Sequence, residues 1–151
     1  MIDNLYKAFV DATHNVFNLM LDLTDIHDRP ANEFTCDDEI DIAIPVVGDL
    51  SGEVVYRFPV TTSLNMVNIM SGMQVEEVDA FVTSAISEIA NIISGNVLMT
   101  LSENALTCDI LPPVQRRAGE GQEDKEYSLQ TSCCINSSIG LVCLEIKLNR
   151  A

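Results

Sequence analysis

The sequence predicts an α+β domain in which long helices pack on one face of a mostly antiparallel sheet. Apolar residues recur every three or four positions in two long segments, near residues 4–24 and 76–102, and alternate with other residues in four shorter ones. The order helix, then hairpin, occurs twice, and residues 52–56 are echoed by residues 140–144. Neither half buries a sheet face alone, so we expect a duplicated helix-plus-strands unit forming one domain over residues 1–151.

The first half contributes one long helix and one hairpin. Residues 4–24 carry a single apolar stripe, with Asp3 or Asn4 as the expected cap and residues 29–30 ending the region. Isoleucines alternate with other residues before a Gly-rich turn, and valine and aromatic residues alternate with others after it. This pattern predicts a hairpin over residues 40–58.

The second half begins after a short Met-rich helix predicted at residues 61–70. Thr62 or Ser63 is expected to cap that helix, and Gly72 to end it. The long helix predicted at residues 76–102 follows, with two glutamates in its first turn, where they suit the helix dipole.

The chain closes with a polar loop and a second hairpin. Two glycines and several charges predict a mobile loop over residues 115–126. Alternating residues then predict strands at 127–135 and 140–148.

The charge excludes several classes of partner. The chain carries 23 acidic and 8 basic residues, a net charge of −15, so it repels nucleic-acid backbones and anionic membrane surfaces. Residues 80–101 are long enough to test as a transmembrane segment, but Glu88, Asn91 and Asn96 interrupt them and no Lys or Arg flanks them. We therefore expect an amphipathic helix and no membrane contact.

The five cysteines do not form a recognisable framework. They are an odd number, lack a CxxC pair and follow no secretory signal, so we expect reduced, mostly buried thiols in a cytoplasmic protein. Only two histidines accompany them, and neither is spaced like a zinc ligand, so we expect no metal site.

The long helix carries a sparse polar stripe. Ser84, Glu88 and Asn91 are spaced four and three residues apart, so they share one helix face. Spacing alone favours the solvated side of a packed helix, and an interaction surface is the alternative. The first helix has Asp11, Asn15 and Asn18 at the same spacing, with Asn where the second stripe has Glu, as in a duplicated scaffold.

The stripe and its context resemble the CheC/CheX/FliY family of chemotaxis phosphatases, most of all the single-site CheX type. Ser84-x3-Glu88-x2-Asn91 is followed by an apolar pair, Ser94, and then Gly95 and Asn96, as in the signature helix of that family. The resemblance extends upstream to residues 70–73 and downstream to Pro112, Pro113, Val114 and Gly119, although the two prolines fall one or two residues short of the family spacing.

The resemblance implies a CheC-like fold and hydrolysis of the aspartyl phosphate of a CheY-like response regulator. In that reaction water attacks the phosphorus in line, and the partner supplies Mg²⁺, a Lys and the phosphoaspartate, so no cofactor of the phosphatase itself is implied. Asn91 would orient the water, Glu88 would pair with the partner's Lys, and Ser84 would border the contact. Asn15 replaces the acid in the first helix, so only one site is implied.

The resemblance also implies a homodimer joined through sheet edges, for which residues 134–135 and 141–148 offer apolar strand material. The alternative is that these strands lie in the centre of the sheet. Two other functions remain open at this point. One is a non-catalytic module that binds a receiver domain or a flagellar-switch component, and the other is a plain structural domain of a signalling assembly.

Overall fold

The computed structural model describes residues 2–30, 38–116 and 126–150 and confirms the α+β class. The elements within these ranges are α1 (Ile2–Leu21), β1 (His27–Pro30), β2 (Glu39–Gly48), β3 (Leu50–Pro59), α2 (Val60–Ser71), α3 (Ala80–Glu103), β4 (Cys108–Ile110), β5 (Val114–Arg116), β6 (Leu129–Ser137) and β7 (Gly140–Arg150). The strands form one sheet of order β1-β6-β7-β3-β2-β4, with β5 also paired to β2, and every pairing is antiparallel.

The topology supports the predicted duplication. Each half contains a long helix, a short strand region and a hairpin: α1, β1 and β2–β3 in the first, and α3, β4–β5 and β6–β7 in the second. The two hairpins join through β3 and β7, and each short region pairs with the hairpin of the other half. Each half therefore completes the sheet of the other.

The helices share one core with one face of the sheet. Phe17 of α1, Ile86 and Ile93 of α3, and Ile42 and Leu144 of the sheet are all buried in a single cluster. Because side chains alternate along a strand, the neighbouring positions point to the other sheet face. The predicted arrangement of helices on one face is confirmed.

The first helix differs from the prediction at both ends. It spans Ile2–Leu21, so Asp3 and Asn4 lie within the helix and not before it, where the prediction put the cap. It ends at Leu21, where Asp22 adopts a φ of 54° and turns the chain away, and a short strand at the edge of the sheet, β1, follows.

The cap predicted for α2 is wrong, whereas its end is confirmed. Pro59 precedes the helix without a side-chain cap bond. The hydroxyl of Thr62 instead donates to the Leu141 carbonyl at 3.0 Å, and that of Ser63 to the Val60 carbonyl at 2.7 Å. Gly72 ends the helix with a φ of 70° and donates its N–H to the Asn68 carbonyl.

The start of α3 also differs from the prediction. Asp79 is extended, and its Oδ1 accepts a hydrogen bond from the Val82 N–H at 3.0 Å, so the helix begins at Ala80. Glu76 and Glu77 therefore precede the helix and do not lie in its first turn. A capping side chain outweighed the favourable helix-dipole charge of the two glutamates.

The cysteines are not all reduced thiols. Cys134 and Cys143 face each other across β6 and β7 with Cα atoms 4.2 Å apart and form a disulfide, so the expectation is wrong for this pair. These two cysteines could be recognised as a pair only from the register between β6 and β7. Cys133 is a free buried thiol, as expected, and burial raises its pKa to about 12. Cys36 lies outside the described residues.

The predicted dimer edges lie inside the sheet. Cys134 and Ile135 pair with Arg29 and Asp28 of β1, and β7 lies between β6 and β3. The expectation that these segments pair with a second copy is therefore wrong, and they are interior strand material. Most of the predicted mobile loop, residues 117–125 with Gly119, lies outside the described residues.

Helix α3 is long and apolar enough to cross a membrane by length and composition alone. Its buried side chains instead pack on α1, α2 and the sheet, which accounts for its hydropathy. A core helix passes the same test, so this segment needs no membrane to explain it.

Candidate functional site

The three predicted site residues lie together on the outer side of α3. Ser84 and Glu88 are exposed, and Asn91 is half-buried. The buried face of the helix, formed by residues such as Ile86 and Ile93, points the opposite way into the core. Three-and-four spacing on a helix packed from one side thus puts the polar stripe at the surface.

An open groove of about 380 Å³ borders this stripe. Its lining comes from α3 and from the segment before and in β5, namely Thr83, Ser84, Ser87, Glu88, Asn91, Pro113 and Gln115. β5 is held beside α3 because it pairs with β2, with Gln115 opposite Ile42. The groove therefore joins the two sequence regions, the helix stripe and the prolines, on which the family resemblance rests.

Neither Glu88 nor Asn91 uses its polar side-chain atoms in a hydrogen bond or ion pair with another described residue. The residue of α1 that corresponds to Asn91 differs in this respect. Asn18, at the position of Asn91 in the first stripe, donates from Nδ2 to the Leu23 carbonyl at 3.0 Å and so secures the end of α1. The second stripe thus presents a carboxylate and a carboxamide available to another molecule, whereas the amide of Asn18 in the first stripe is used internally.

Two hydrogen-bonding groups fix the position of α3. The hydroxyls of Tyr56 on β3 and Ser94 lie 2.7 Å apart in the core, and burial raises the pKa of Tyr56. The N-cap bond from Asp79 secures the start of the helix. With both contacts, the Glu88–Asn91 stripe is presented on a rigid element.

Sequence reasoning missed a cluster of charges on the sheet face opposite the helices. Arg57 on β3 pairs with Glu145 on β7, and its Nη1 lies 3.6 Å from Glu39 and 3.8 Å from Asp41. Lys147 Nζ lies 3.3 Å from Glu145. The alternation of Glu39 and Asp41 with buried isoleucines was the available signal, because it puts both acids on one strand face.

Burial dominates the electrostatics of this cluster. It raises the pKa of Glu39 and that of Asp41 despite the positive charge of Arg57. Glu39 Oε2 and Asp41 Oδ1 are buried and lack a hydrogen-bond partner among the residues that the structure describes. The cluster lies away from the α3 groove, so we treat it as structural.

No group of three or more His, Cys, Asp or Glu in the described part of the chain is placed to hold a metal ion. The groove lining offers one carboxylate, one amide and hydroxyl groups. A pair of this kind can position water and bind a cation but lacks the nucleophile–base set of a self-contained hydrolase.

Comparison with known proteins connects this geometry to a family. Residues 40–136 match the family model described as chemotaxis phosphatase CheX. The CheY-P phosphatase CheX of Thermotoga maritima is 34% identical over 71 residues, which cover 46% of this chain and 46% of that protein. The match therefore spans about half the length of that relative.

Solved structures share the whole fold. The CheX–CheY–BeF3–Mg²⁺ complex of Borrelia burgdorferi contains a chain that matches with a TM-score of 0.81 at 18% identity, covering 96% of this chain and 97% of that one. CheX of Vibrio vulnificus matches with a TM-score of 0.81 at 21% identity, covering 96% and 99%. At these identities the likeness establishes the fold.

Proposed function

This chain belongs to the CheX family of chemotaxis phosphatases, and we propose that it hydrolyses the aspartyl phosphate of a CheY-like response regulator. The observation that carries the proposal is the pair of polar residues on the outer side of α3. Glu88 and the half-buried Asn91 lie one turn apart beside an open groove, with no hydrogen bond or ion pair to another described residue. A pair left open in this way suits the completion of an active site that lies mostly in a partner.

Asn91 is the residue we assign to the attacking water. A carboxamide both accepts and donates hydrogen bonds, so it can hold water in line with the phosphorus without taking a proton. The water oxygen forms a bond to phosphorus as the bond from phosphorus to the aspartate oxygen breaks, giving inorganic phosphate and a free carboxylate. Positioning of this kind accelerates a reaction whose other components are already assembled.

Glu88 and Ser84 are the residues we assign to docking. A carboxylate one turn from Asn91 is placed to pair with a lysine of the receiver and so to fix the register of α3 against it. Ser84 is exposed one turn before Glu88 and borders the same groove. Mg²⁺ belongs to the receiver in this proposal, as the complex from Borrelia burgdorferi contains CheY, BeF3 and Mg²⁺.

The charge of the chain affects the strength of this encounter. A net charge of −15 gives no long-range attraction to the acidic metal site of a receiver. We therefore expect a weak, transient complex held by local contacts.

We also propose that the chain acts as a single CheX-like domain over residues 1–151, in the cytoplasm, as a homodimer, and without nucleic acid or membrane as partners. The family resemblance supports the dimer and the location, and the charge supports the excluded partners. Equilibrium sedimentation tests the dimer, since a monomer at tens of micromolar would contradict it.

The experiment that tests the function follows phosphate release from receiver domains of the same organism, phosphorylated with acetyl phosphate in the presence of Mg²⁺. The wild type is expected to accelerate release, and Glu88→Ala and Asn91→Ala to lose that acceleration by about tenfold or more. Asn15→Ala is the matched control, because Asn15 is an exposed residue in the corresponding stripe of α1. Binding without acceleration by the wild type would instead identify a non-catalytic module.

A further inference from the structure

A row of side chains crosses the sheet on the face opposite the helices. The strand register puts Arg57 of β3 opposite Cys143 of β7, and Cys143 opposite Cys134 of β6. Cys134 in turn lies opposite Arg29 of the edge strand β1. Residues directly opposite each other in antiparallel strands share a sheet face and have Cβ atoms about 5 Å apart. The Cys134–Cys143 disulfide therefore lies between two arginine positions.

The sheet holds the two sulfurs close together independently of their bond. β6 pairs with β7 over its whole length, Leu129–Ser137, and the Cα atoms of Cys134 and Cys143 are 4.2 Å apart. The two cysteines are only 9 positions apart in the sequence, and a disulfide constrains the unfolded chain less when its loop is short. Because the strand pairing fixes both positions, the bond can form and break without rearrangement of the backbone.

The cytoplasm, where we place the chain, keeps most thiols reduced. Disulfides that do form in that compartment are usually transient and take part in redox sensing or catalysis. A pair that the sheet holds in register, with a short loop between its members, suits a reversible bond better than a permanent crosslink.

The electrostatic surroundings of the two thiols differ. Cys143 lies beside the charge cluster around Arg57, in which two cations face three carboxyl groups. The positive charge of Arg57 is thus matched by its own acidic partners. It gives little net stabilisation to an ionised sulfur at Cys143.

Cys134 has an unpaired cation beside it. The side chain of Arg29 is exposed on the edge strand and forms no hydrogen bond or ion pair with another described residue. Its neighbour Asp28 lies on the other face of β1, where it accepts a hydrogen bond from Tyr6. A guanidinium near a cysteine favours the thiolate, which is the nucleophilic form. Of the two thiols, Cys134 therefore ionises more readily.

Burial restricts which cysteines react and with what. Cys133 precedes the pair but faces the core, and burial raises its pKa to about 12. Cys134 and Cys143 are each 3% exposed. A small neutral oxidant such as hydrogen peroxide can reach sulfurs at that depth, whereas a folded redox protein cannot. Reaction is thus directed to one pair of thiols and to small reagents.

We propose that Cys134 and Cys143 form a reversible peroxide-reactive site, in which the Cys134 thiolate reacts first and the Cys143 thiol resolves the product. The Cys134 sulfur attacks one peroxide oxygen, the O–O bond breaks, and a sulfenic acid and hydroxide form. The Cys143 sulfur then attacks the sulfenic sulfur, its proton joins the departing hydroxyl group, and the disulfide and water form. A small dithiol reverses the reaction by thiol–disulfide exchange and is itself oxidised to a disulfide.

This site lies on the sheet face opposite α3, so its reaction requires neither a receiver nor phosphatase activity. The test uses the full chain, reduced with dithiothreitol, freed of reductant and treated with a small excess of hydrogen peroxide. The remaining thiols are alkylated, and mass spectrometry reads the tryptic peptide of residues 126–147, which holds Cys133, Cys134 and Cys143. The wild type is expected to lose alkylation at Cys134 and Cys143 and to regain both after dithiothreitol. A folded protein that does not oxidise, or that dithiothreitol does not reduce, would overturn the proposal.

Single cysteine variants separate the two roles. Cys134→Ala is expected to abolish the reaction within this peptide, whereas Cys143→Ala is expected to stop it at a sulfenic acid that dimedone traps. Cys133→Ala is the matched control, because this neighbouring thiol faces the core, and it should leave the pair reactive. Loss of the reaction in a folded Cys133→Ala protein, or a disulfide formed in Cys134→Ala, would contradict the proposed pair.

Arg29 tests why Cys134 reacts first. Arg29→Ala is expected to slow the oxidation at least about threefold, because the thiolate loses its unpaired neighbouring charge. Arg29→Lys should restore the rate, since it restores the charge. Arg150→Ala is the matched control, because it removes the same charge from an exposed position at the end of β7. Equal rates for Arg29→Ala and the wild type, with thermal unfolding showing both to be folded, would overturn the role assigned to Cys134.

Discussion

The hydroxyls of Tyr56 and Ser94, 2.7 Å apart in the core, connect the central strand β3 to the middle of α3. Tyr56 is fully buried and Ser94 is nearly so, which removes water as an alternative partner for either group. Ser94 immediately precedes Gly95 and lies one turn after Asn91. The bond thus ties the helix that carries Glu88 and Asn91 to the sheet.

Tyr56→Phe is expected to destabilise the protein by about 1–3 kcal/mol, because it leaves the buried Ser94 hydroxyl without its partner. Urea unfolding measures this change. Tyr6→Phe is the control, since the Tyr6 hydroxyl donates to Asp28 at 3.1 Å in an exposed position. Equal costs for the two variants would contradict the importance assigned to the Tyr56–Ser94 bond.

Asp79→Ala is expected to cost about 1 kcal/mol, because its carboxylate caps α3 by accepting from the Val82 N–H. Glu77→Ala should change the free energy of unfolding by less than about 0.5 kcal/mol, since Glu77 is exposed and precedes the helix. Chemical denaturation of both variants checks the expectation. A larger loss of unfolding free energy in Glu77→Ala would indicate that α3 begins near residue 76, as the sequence predicted.

Periodicity predicted the elements that carry long apolar patterns. The alternation at residues 40–44 predicted β2, and the three-and-four spacing of Ser84, Glu88 and Asn91 correctly put them on one face of α3. Short strands were missed, because the four residues of β1 are too few to show a period and their partner, β6, lies about a hundred residues away.

Features that depend on register or tertiary contact were beyond the sequence. The Cys134–Cys143 pair required the alignment of β6 with β7. Likewise, the position of Pro113 beside Asn91 required the pairing of β5 with β2. Local residue preferences do not encode such distant contacts, whereas the shared face of Ser84, Glu88 and Asn91 could be predicted because these residues lie within one helix.

Asp41 is expected to make stability fall as pH rises. Burial raises its pKa above the usual 3.8, so the folded state binds the proton more tightly than the unfolded state. The resulting stability is fully present below the unfolded pKa and is lost as pH rises through the raised folded pKa. The pKa of Glu39 is also raised, from 4.5. The pH range over which stability is lost therefore begins near pH 4 and extends upward.

Asp41→Asn tests this sign. Urea unfolding of wild type and variant across that window should show that the wild type loses stability relative to the variant as pH increases. Asn cannot ionise, so its contribution is constant. A relative gain for the wild type with increasing pH would mean that the attraction of Arg57 outweighs burial, contrary to the account.

Whether Asn91 orients water in the active site of a partner is decided by comparing the hydrolysis rate and the receiver affinity of Asn91→Ala with those of the wild type. The measurement pairs single-turnover hydrolysis of the phosphorylated receiver with Kd for its beryllofluoride–Mg²⁺ form. We expect the rate to fall by about tenfold or more with Kd changed less than about threefold, while Glu88→Ala raises Kd. An Asn91→Ala protein that retains the wild-type rate would contradict the account.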